Sequence, residues 1–386
     1  MSSETSTVRE LLAALVGFDT TSAKSNLALI AFVEDHLKRH GITSTRIPSP
    51  DGTKADLFAS IGPEGRGKSG IGLSGHSDCV PVEGQRWTSD PFTLTLRDGK
   101  LYGRGTCDMK GFLACVLASV PLFKSRTLKQ PIHIIVSYDE EVGCTGVRPL
   151  IAMLGKELPK PKAIIVGEPT DMTTIDAHKR IDSYLTVVTG REAHSSMPQL
   201  GVNAIAIAAK LILGLERLGA ELAGMTDDRF DPPFGTMQVG TIKGGTAGNI
   251  VPKTCEFHWQ VRSVPGTGPE KVEKGFNNYA DGLLPAVRQV APDAAIVTTH
   301  LNSVPSFQAK GNSEAVALAL SLSGANTTHA VSYGTEAGLF EEAGCPTVIC
   351  GPGNIAQAHA ADEFVTVAQL DLCMAFLARL ADRISA

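Results

Sequence analysis

No run of 18 or more consecutive apolar residues occurs in the sequence, so no membrane-spanning helix is expected. The opening MSSETSTVRELLAALVGF has no basic leading region, and Arg9 and Glu10 dilute its apolar run, so it does not read as a secretory leader. Aromatic residues make up only 5%, which leaves few rings on which nucleic-acid bases could stack. No basic block stands out and the formal charge is −5, which argues against nucleic acid and anionic membranes as partners. The eight cysteines (Cys79, Cys107, Cys115, Cys144, Cys255, Cys345, Cys350 and Cys373) form no CxxC pair. They read as free buried thiols in a reducing cytoplasm.

What remains is a globular composition of 43% hydrophobic and 19% charged residues in 386 residues, long enough for two domains. Helical spacing of Val8, Leu11, Leu12 and Leu15, then of Leu29, Phe32, Val33 and Leu37, predicts two helices over residues 5–40. Apolar strands follow at 56–61, 70–75, IHIIVSYDEE and AIIVGEPT, with a helix over 112–122 between the second and third. Uniformly apolar strands alternating with helices predict a mostly parallel α/β sheet. Near residue 181 the pattern changes. IDSYLTVVTG, a helix over 203–218, TMQVGTIKGG, CEFHWQVRSV, a helix over 270–284 and a short strand begun by VRQVAP describe a split βαβ, ferredoxin-like α+β unit. After about residue 293 the α/β character returns, with helices over 313–322 and 367–380. The expected organisation is an α/β catalytic domain formed by 1–180 and 293–386, interrupted by an inserted domain at 181–292.

Two glycine motifs are decoys. GPEGRGKS (62–69) matches a phosphate loop in letters, but an apolar strand follows where a helix is required. GPGNIA (351–356) has dinucleotide-binding spacing, yet Asp371 falls inside the last long helix and no βαβ unit remains to complete that fold.

The sharper signal is a set of His, Asp and Glu residues at strand ends. His76 and Asp78 are two apart in extended chain, so both point one way. One can bind a metal while the other accepts the second ring N–H, or both can belong to an ordinary polar loop. Asp108 precedes an apolar helix, where an acidic residue can equally be an N-cap. Glu140 and Glu141 end a very apolar strand and would repel without a cation or a proton between them. Glu168 ends the next strand, and His359 follows PTVICGPG. Several strand ends feeding one crevice is the usual geometry of a site in an open α/β sheet. Two imidazoles and three carboxylates, one of them bridging, suffice for two divalent ions, and the histidines favour Zn²⁺ or Co²⁺ over Mg²⁺ or Mn²⁺ without deciding the matter. His194 is either a turn histidine or a donor to a substrate carbonyl oxygen. Asn249 and Arg262 suit a substrate carboxylate, or loop structure and a surface ion pair.

These stretches (SGHSDCVPVEGQRWTSDPF, LYGRGTCDMKGF, VSYDEEVGCTG, VGEPT, GREAHSS, YGTEAG and GPGNIAQAHAADEFV) run in order over nearly the whole chain, and the sequence resembles the M20 family of metallopeptidases and amidohydrolases. The family's usual HTD stands here as HSD, with Ser77 keeping a hydroxyl. The resemblance implies two ions, Zn²⁺ foremost and Co²⁺ as alternative. His76 and Glu168 would hold one, Glu141 and His359 the other, and Asp108 would bridge them. Asp78 would orient His76. Glu140 would take a proton from the bridging water and pass it to the departing amine. His194 would stabilise the oxyanion, reaching across a homodimer from the partner's inserted domain, which also acts as a lid. Asn249 and Arg262 would contact the carboxylate of an N-acyl amino acid substrate. Glu336 in YGTEAG would offer a carboxylate to a substrate ammonium or serve a loop salt bridge.

Overall fold

The computed structural model describes residues 3–63 and 69–386, with side chains from Thr7 onward. Most of the GPEGRGKS motif, residues 64–68, lies outside the described residues. The segment after it is the strand Ile71–His76, so the helix a phosphate loop requires is absent there. The second decoy also fails, since GPGNIA runs into a single 3₁₀ turn, Ile355–Gln357.

The chain divides into two compact units. The first comprises Met1–Asp176, Gln308–His329 and Thr335–Ala386, and the second Ala177–Phe307 and Ala330–Gly334.

In the first unit, six strands of the large sheet lie in the order Ser44–Pro48, Ala55–Ile61, Ile132–Ser137, Ile71–His76, Ala163–Val166 and Thr347–Ile349. The last four run parallel to one another. The first two are antiparallel additions, and Ile349 pairs antiparallel with Ile175 on the far side. The sheet is therefore mixed, with the parallel character confined to its middle. The central strands are buried at every position, which is why they read as continuous apolar runs rather than alternating ones. Helices Ser3–Val16, Leu27–Arg39, Lys110–Ala118 and Val367–Arg383 contribute Leu12, Leu15, Leu29, Val33, Phe112, Leu377 and Leu380 to one core with these strands. Each such side chain contributes on the order of 1.5–3 kcal/mol by leaving water. The helix expected over 112–122 is two helices, Lys110–Ala118 and Val120–Ser125. Pro121 has no backbone N–H to continue the first, and sits comfortably in the first turn of the second. A small antiparallel sheet pairs Phe364–Thr366 with Lys100–Tyr102, and that strand with Thr95–Arg97.

The second unit is strand–helix–strand–strand–helix–strand. Its sheet order is Thr236–Gly244, Thr254–Ser263, Arg180–Thr189 and Ala295–Val304, antiparallel throughout. Helices Ala204–Leu222 and Glu270–Arg288 cover it with Leu211, Leu215 and Phe276, which pack with Tyr184, Phe257 and Trp259. Asn203 caps the first helix by accepting from the Ala206 amide at 3.0 Å.

Two expectations change here. The stretch begun by VRQVAP is no strand: helix Glu270–Arg288 continues through Val287, which still packs on the apolar cluster. The fourth strand is Ala295–Val304, paired along Arg180–Thr189, so the second crossing between units falls well past residue 293.

Candidate metal centre

Four parallel neighbouring strands end at the same edge of the sheet, and each end carries a polar residue the sequence singled out. His76 closes its strand opposite Ser137. Glu140 and Glu141 follow that neighbour by three and four residues, and Glu168 follows Val166 by two. His359 arrives by a loop after Thr347–Ile349, with its backbone held at φ 61°. Asp108 lies just before helix Lys110–Ala118. Gly167 lets Glu168 enter this crowded edge, because a Cβ there would lie 2.0 Å from the Phe112 ring.

The side chains converge in two groups that could each hold a metal: His76, Asp108 and Glu168, and Asp108, Glu141 and His359, with donor atoms within 4.8 Å of one another in each. Asp108 belongs to both. Its Oδ1 lies 2.9 Å from His76 Nε2 and its Oδ2 3.3 Å from His359 Nε2. One oxygen toward each group is what a bridging carboxylate requires. His76 Nε2 is also 3.9 Å from Glu168 Oε1, and His359 Nε2 is 3.0 Å from Glu141 Oε2. The first group is buried, whereas the His359 side chain is 53% exposed.

Asp78 organises this edge. The His76 ring turns Nδ1 toward it, 3.0 Å from its backbone oxygen and 3.5 Å from Oδ1. The same carboxylate accepts from the Glu140 and Glu141 amides at 3.2 and 3.3 Å and from Ser22 Oγ at 2.7 Å. One residue thus orients an imidazole and fixes the turn that presents both glutamates. The sequence suggested the first role and missed the second. Glu140 accepts from the Cys144 thiol at 3.3 Å.

The electrostatics fit cation binding. Burial pushes Glu140 and Glu168 well above the usual carboxylate range, and neighbouring carboxylates add to it. Burial, then Asp108, lifts Glu141 to about 7. Hydrogen bonds to Asp108 and Glu141 lift His359 to about 10. Burial alone would lower His76, but its bonds to Asp108 and Asp78 raise it well above the ordinary value. Carboxylates this close hold protons unless positive charge takes their place. Imidazole nitrogens and carboxylate oxygens in two groups with a shared member are a suitable donor set for a pair of divalent ions.

Glu336 is in the same unit but buried, 1% exposed, with Oε1 lacking a hydrogen-bond partner. Burial raises it to about 7. His194, Asn249 and Arg262 belong to the second unit. The Ser196 amide donates to His194 Nδ1 at 3.2 Å, so the neutral ring carries its proton on Nε2 and can donate there. The Ser195 amide donates to the Asn249 carbonyl at 3.0 Å, bringing these two loops together. Arg262 donates to the Ser332 carbonyl at 3.1 Å.

Comparison with known proteins identifies the family. Peptidase family M20/M25/M40 matches residues 72–383. The chain belongs to this family. It is 37% identical over 384 residues to the acetylornithine deacetylase of Myxococcus xanthus, covering 98% of both chains. To that of Proteus mirabilis it is 35% identical, covering 94% of this chain and 92% of the other. Among solved structures, an M20 family metallo-carboxypeptidase from Sulfolobus solfataricus superposes with TM-score 0.76 at 18% identity, covering 99% of each chain. A dinuclear metal-binding M20 peptidase from Bacillus subtilis gives 0.67 at 18% identity, covering 99% of this chain and 98% of the other. The chain is thus a metal-dependent hydrolase of the M20 family. No helix among the described residues is long and apolar enough to cross a membrane.

Proposed function

We propose that this M20 hydrolase cleaves the amide of N²-acetyl-L-ornithine, giving L-ornithine and acetate, a step of arginine biosynthesis in the cytoplasm. The observation that carries the chemistry is the carboxylate of Asp108 shared by two ligand groups, with Glu140 on the same turn as the ligand Glu141. The substrate assignment draws on the relatives named acetylornithine deacetylase.

His76, Asp108 and Glu168 would hold one ion and Asp108, Glu141 and His359 the other, Zn²⁺ by preference and Co²⁺ as a substitute. When bound, such a pair supplies Lewis acidity, acidifying water and polarising the amide carbonyl. Glu140 takes a proton from the attacking water and delivers one to the departing amine nitrogen as the C–N bond breaks, a role that suits a buried carboxyl with a raised proton affinity. Asp78 keeps His76 oriented and Glu140 in register. His194, donating from Nε2, is assigned to the carbonyl oxygen as negative charge grows on it. Asn249 and Arg262 are assigned to the substrate carboxylate, and Glu336 to the charge balance around the substrate ammonium. The inserted unit is proposed as lid and as homodimer surface, with His194 acting from the partner subunit.

A steady-state panel tests this. N²-acetylornithine, N-succinyl-diaminopimelate and N-acetylmethionine are compared with added Zn²⁺ or Co²⁺. The expected result is the highest kcat/KM for acetylornithine. A dominant value for the succinyl compound or for acetylmethionine would refute the substrate and leave a desuccinylase or a broader N-acyl-amino-acid hydrolase.

A further inference from the structure

Beyond the ligands, one buried carboxylate takes part in the site without facing it. Glu363 is 1% exposed and collects four donors. Its Oε2 accepts from Arg104 Nη1 at 2.7 Å and from the Gly105 amide at 3.0 Å. Its Oε1 accepts from the Cys107 and Asp108 amides at 2.9 and 3.1 Å. Every donor lies in the loop that carries the shared ligand Asp108. That loop needs outside support: Gly105 stands at φ 79°, and its amides precede a helix whose N-cap, Met109, gives no side-chain bond.

The same assembly reaches the exposed ligand, His359. Glu363 lies four residues after His359 and just before the strand Phe364–Thr366, which is zipped onto Lys100–Tyr102. The Glu363 carbonyl accepts from the Gly103 amide at 3.0 Å. Arg104, fully buried, also donates Nη2 to Gln85 Oε1 at 2.5 Å. Gln85 Nε2 in turn donates to the His359 carbonyl at 2.8 Å, a contact suited to keeping His359 in its left-handed backbone conformation.

We infer that Glu363 is a positioning residue that fixes Asp108 and, through Arg104 and Gln85, His359, so that one buried carboxylate sets the affinity of both metal positions. This rests on the two-ion reading above. Partners that orient ligands commonly change metal affinity by about 10–100-fold when removed. Glu363→Gln keeps the size but replaces one oxygen by an NH₂. Whichever way the amide turns, one pair of N–H donors then meets a donor.

The test is calorimetric titration of Zn²⁺ into the full-length, chelator-stripped chain, with ion counts by elemental analysis and Co²⁺ absorption as a second readout. The wild type is expected to bind two ions. Glu363→Gln should weaken both by about 10–100-fold, because the shared ligand moves, and should alter the Co²⁺ spectrum. Gln85→Ala, at a half-buried side chain, should leave one affinity at the wild-type value and weaken the other about tenfold. A merely structural anchor would lower the melting temperature of the stripped protein and leave both affinities and the spectrum unchanged; that result in folded Glu363→Gln overturns the inference while the two-ion reading stands. Should Glu363→Gln fail to fold, Gln85→Ala decides, and two wild-type affinities there overturn it. A wild type that takes up fewer than two ions overturns the two-ion reading itself and the positioning role with it.

Discussion

Asp56 offers a quantitative test of the electrostatics around the site. It lies in strand Ala55–Ile61, and the pairing of Leu57 with Val136 sets it beside Ser137, the residue opposite His76. It is completely buried, and neither carboxyl oxygen has a partner in hydrogen-bond geometry. Burial, then the charge of Glu336, pushes it up to about 9, and the opposing pull of the Tyr138 amide is smaller. The folded protein therefore binds a proton that the unfolded chain, at its ordinary value of 3.8, has released. Its contribution to stability is complete below pH 3.8 and is lost progressively as pH rises toward 9. At pH 7 the cost is on the order of 4 kcal/mol, from about three pKa units at about 1.4 kcal/mol each. Asp56→Asn keeps the shape and cannot ionise, although its amide is equally unpartnered. Relative to wild type, the variant should be unchanged or slightly destabilised near pH 4.5. Near pH 8, where the cost has grown to about 6 kcal/mol, it should be more stable by about 3 kcal/mol, half that cost because of the amide. Urea titrations of both proteins at several pH values, under identical metal conditions, measure the difference. Contributions from the metal ligands are common to both chains and cancel. A difference that stays constant from pH 4.5 to 8 would show that Asp56 is ionised in the folded state and would refute the reasoning.

Replacing Glu140 by Gln should lower kcat by about 10²–10⁴-fold with both ions retained; full activity in the loaded variant would remove Glu140 from proton transfer. His359→Ala should reduce ion binding from two to one, because the buried His76, Asp108 and Glu168 group keeps all its donors; loss of both ions would contradict that division. Metal uptake should strengthen as pH rises from about 5 to 8, since the ions displace protons held by Glu141, lifted to about 7, and by His359, lifted to about 10. Calorimetry in buffers of different ionisation enthalpy reads the released protons, and a pH-independent affinity with no release would contradict it. Arg262→Lys should raise KM more than it lowers kcat if the guanidinium meets the substrate carboxylate, since a point charge replaces a two-pronged donor. An unchanged KM would return Arg262 to its bond with the Ser332 carbonyl alone.

What could be read from the sequence follows from how local each signal is. His76, Glu141 and Glu168 each terminate or closely follow a strand whose apolar run announces both its burial and its direction, and parallel neighbours then place the ends together. The order of the second unit was legible because alternating strands there replace uniformly apolar ones. Ala295–Val304 escaped because most of its residues face outward or lie half buried, and Thr298, Thr299, His300 and Asn302 mask the strand pattern. The role of Glu363 depends on pairing between segments more than 250 residues apart, which nothing in the local pattern of AADEFV records. Asp56 reads as a polar residue at a strand start, and only the neighbours across the sheet bury it.

The burial that hides these residues also accounts for the proposed centre's demand for positive charge. Asp78, Asp108, Glu140, Glu141 and Glu168 occupy one sheet edge, and the ion-pair partners of Asp108 and Glu141 within 4 Å are imidazoles. The buried guanidinium of Arg104 is committed to Glu363. The buried ammonium of Lys110 donates to the Phe18 carbonyl at 2.8 Å. Among the described residues, these two buried cations are thus engaged by Glu363 and by the Phe18 carbonyl rather than by the ligand carboxylates. Protons or bound metal can offset the carboxylates, and burial with neighbouring carboxylates raises Glu141 while hydrogen bonds to Asp108 and Glu141 raise His359. A Lys or Arg placed among the ligands would offset the charge and lose the chemistry. Keeping the guanidinium behind the loop preserves both the geometry of Asp108 and the demand for divalent ions in front of it.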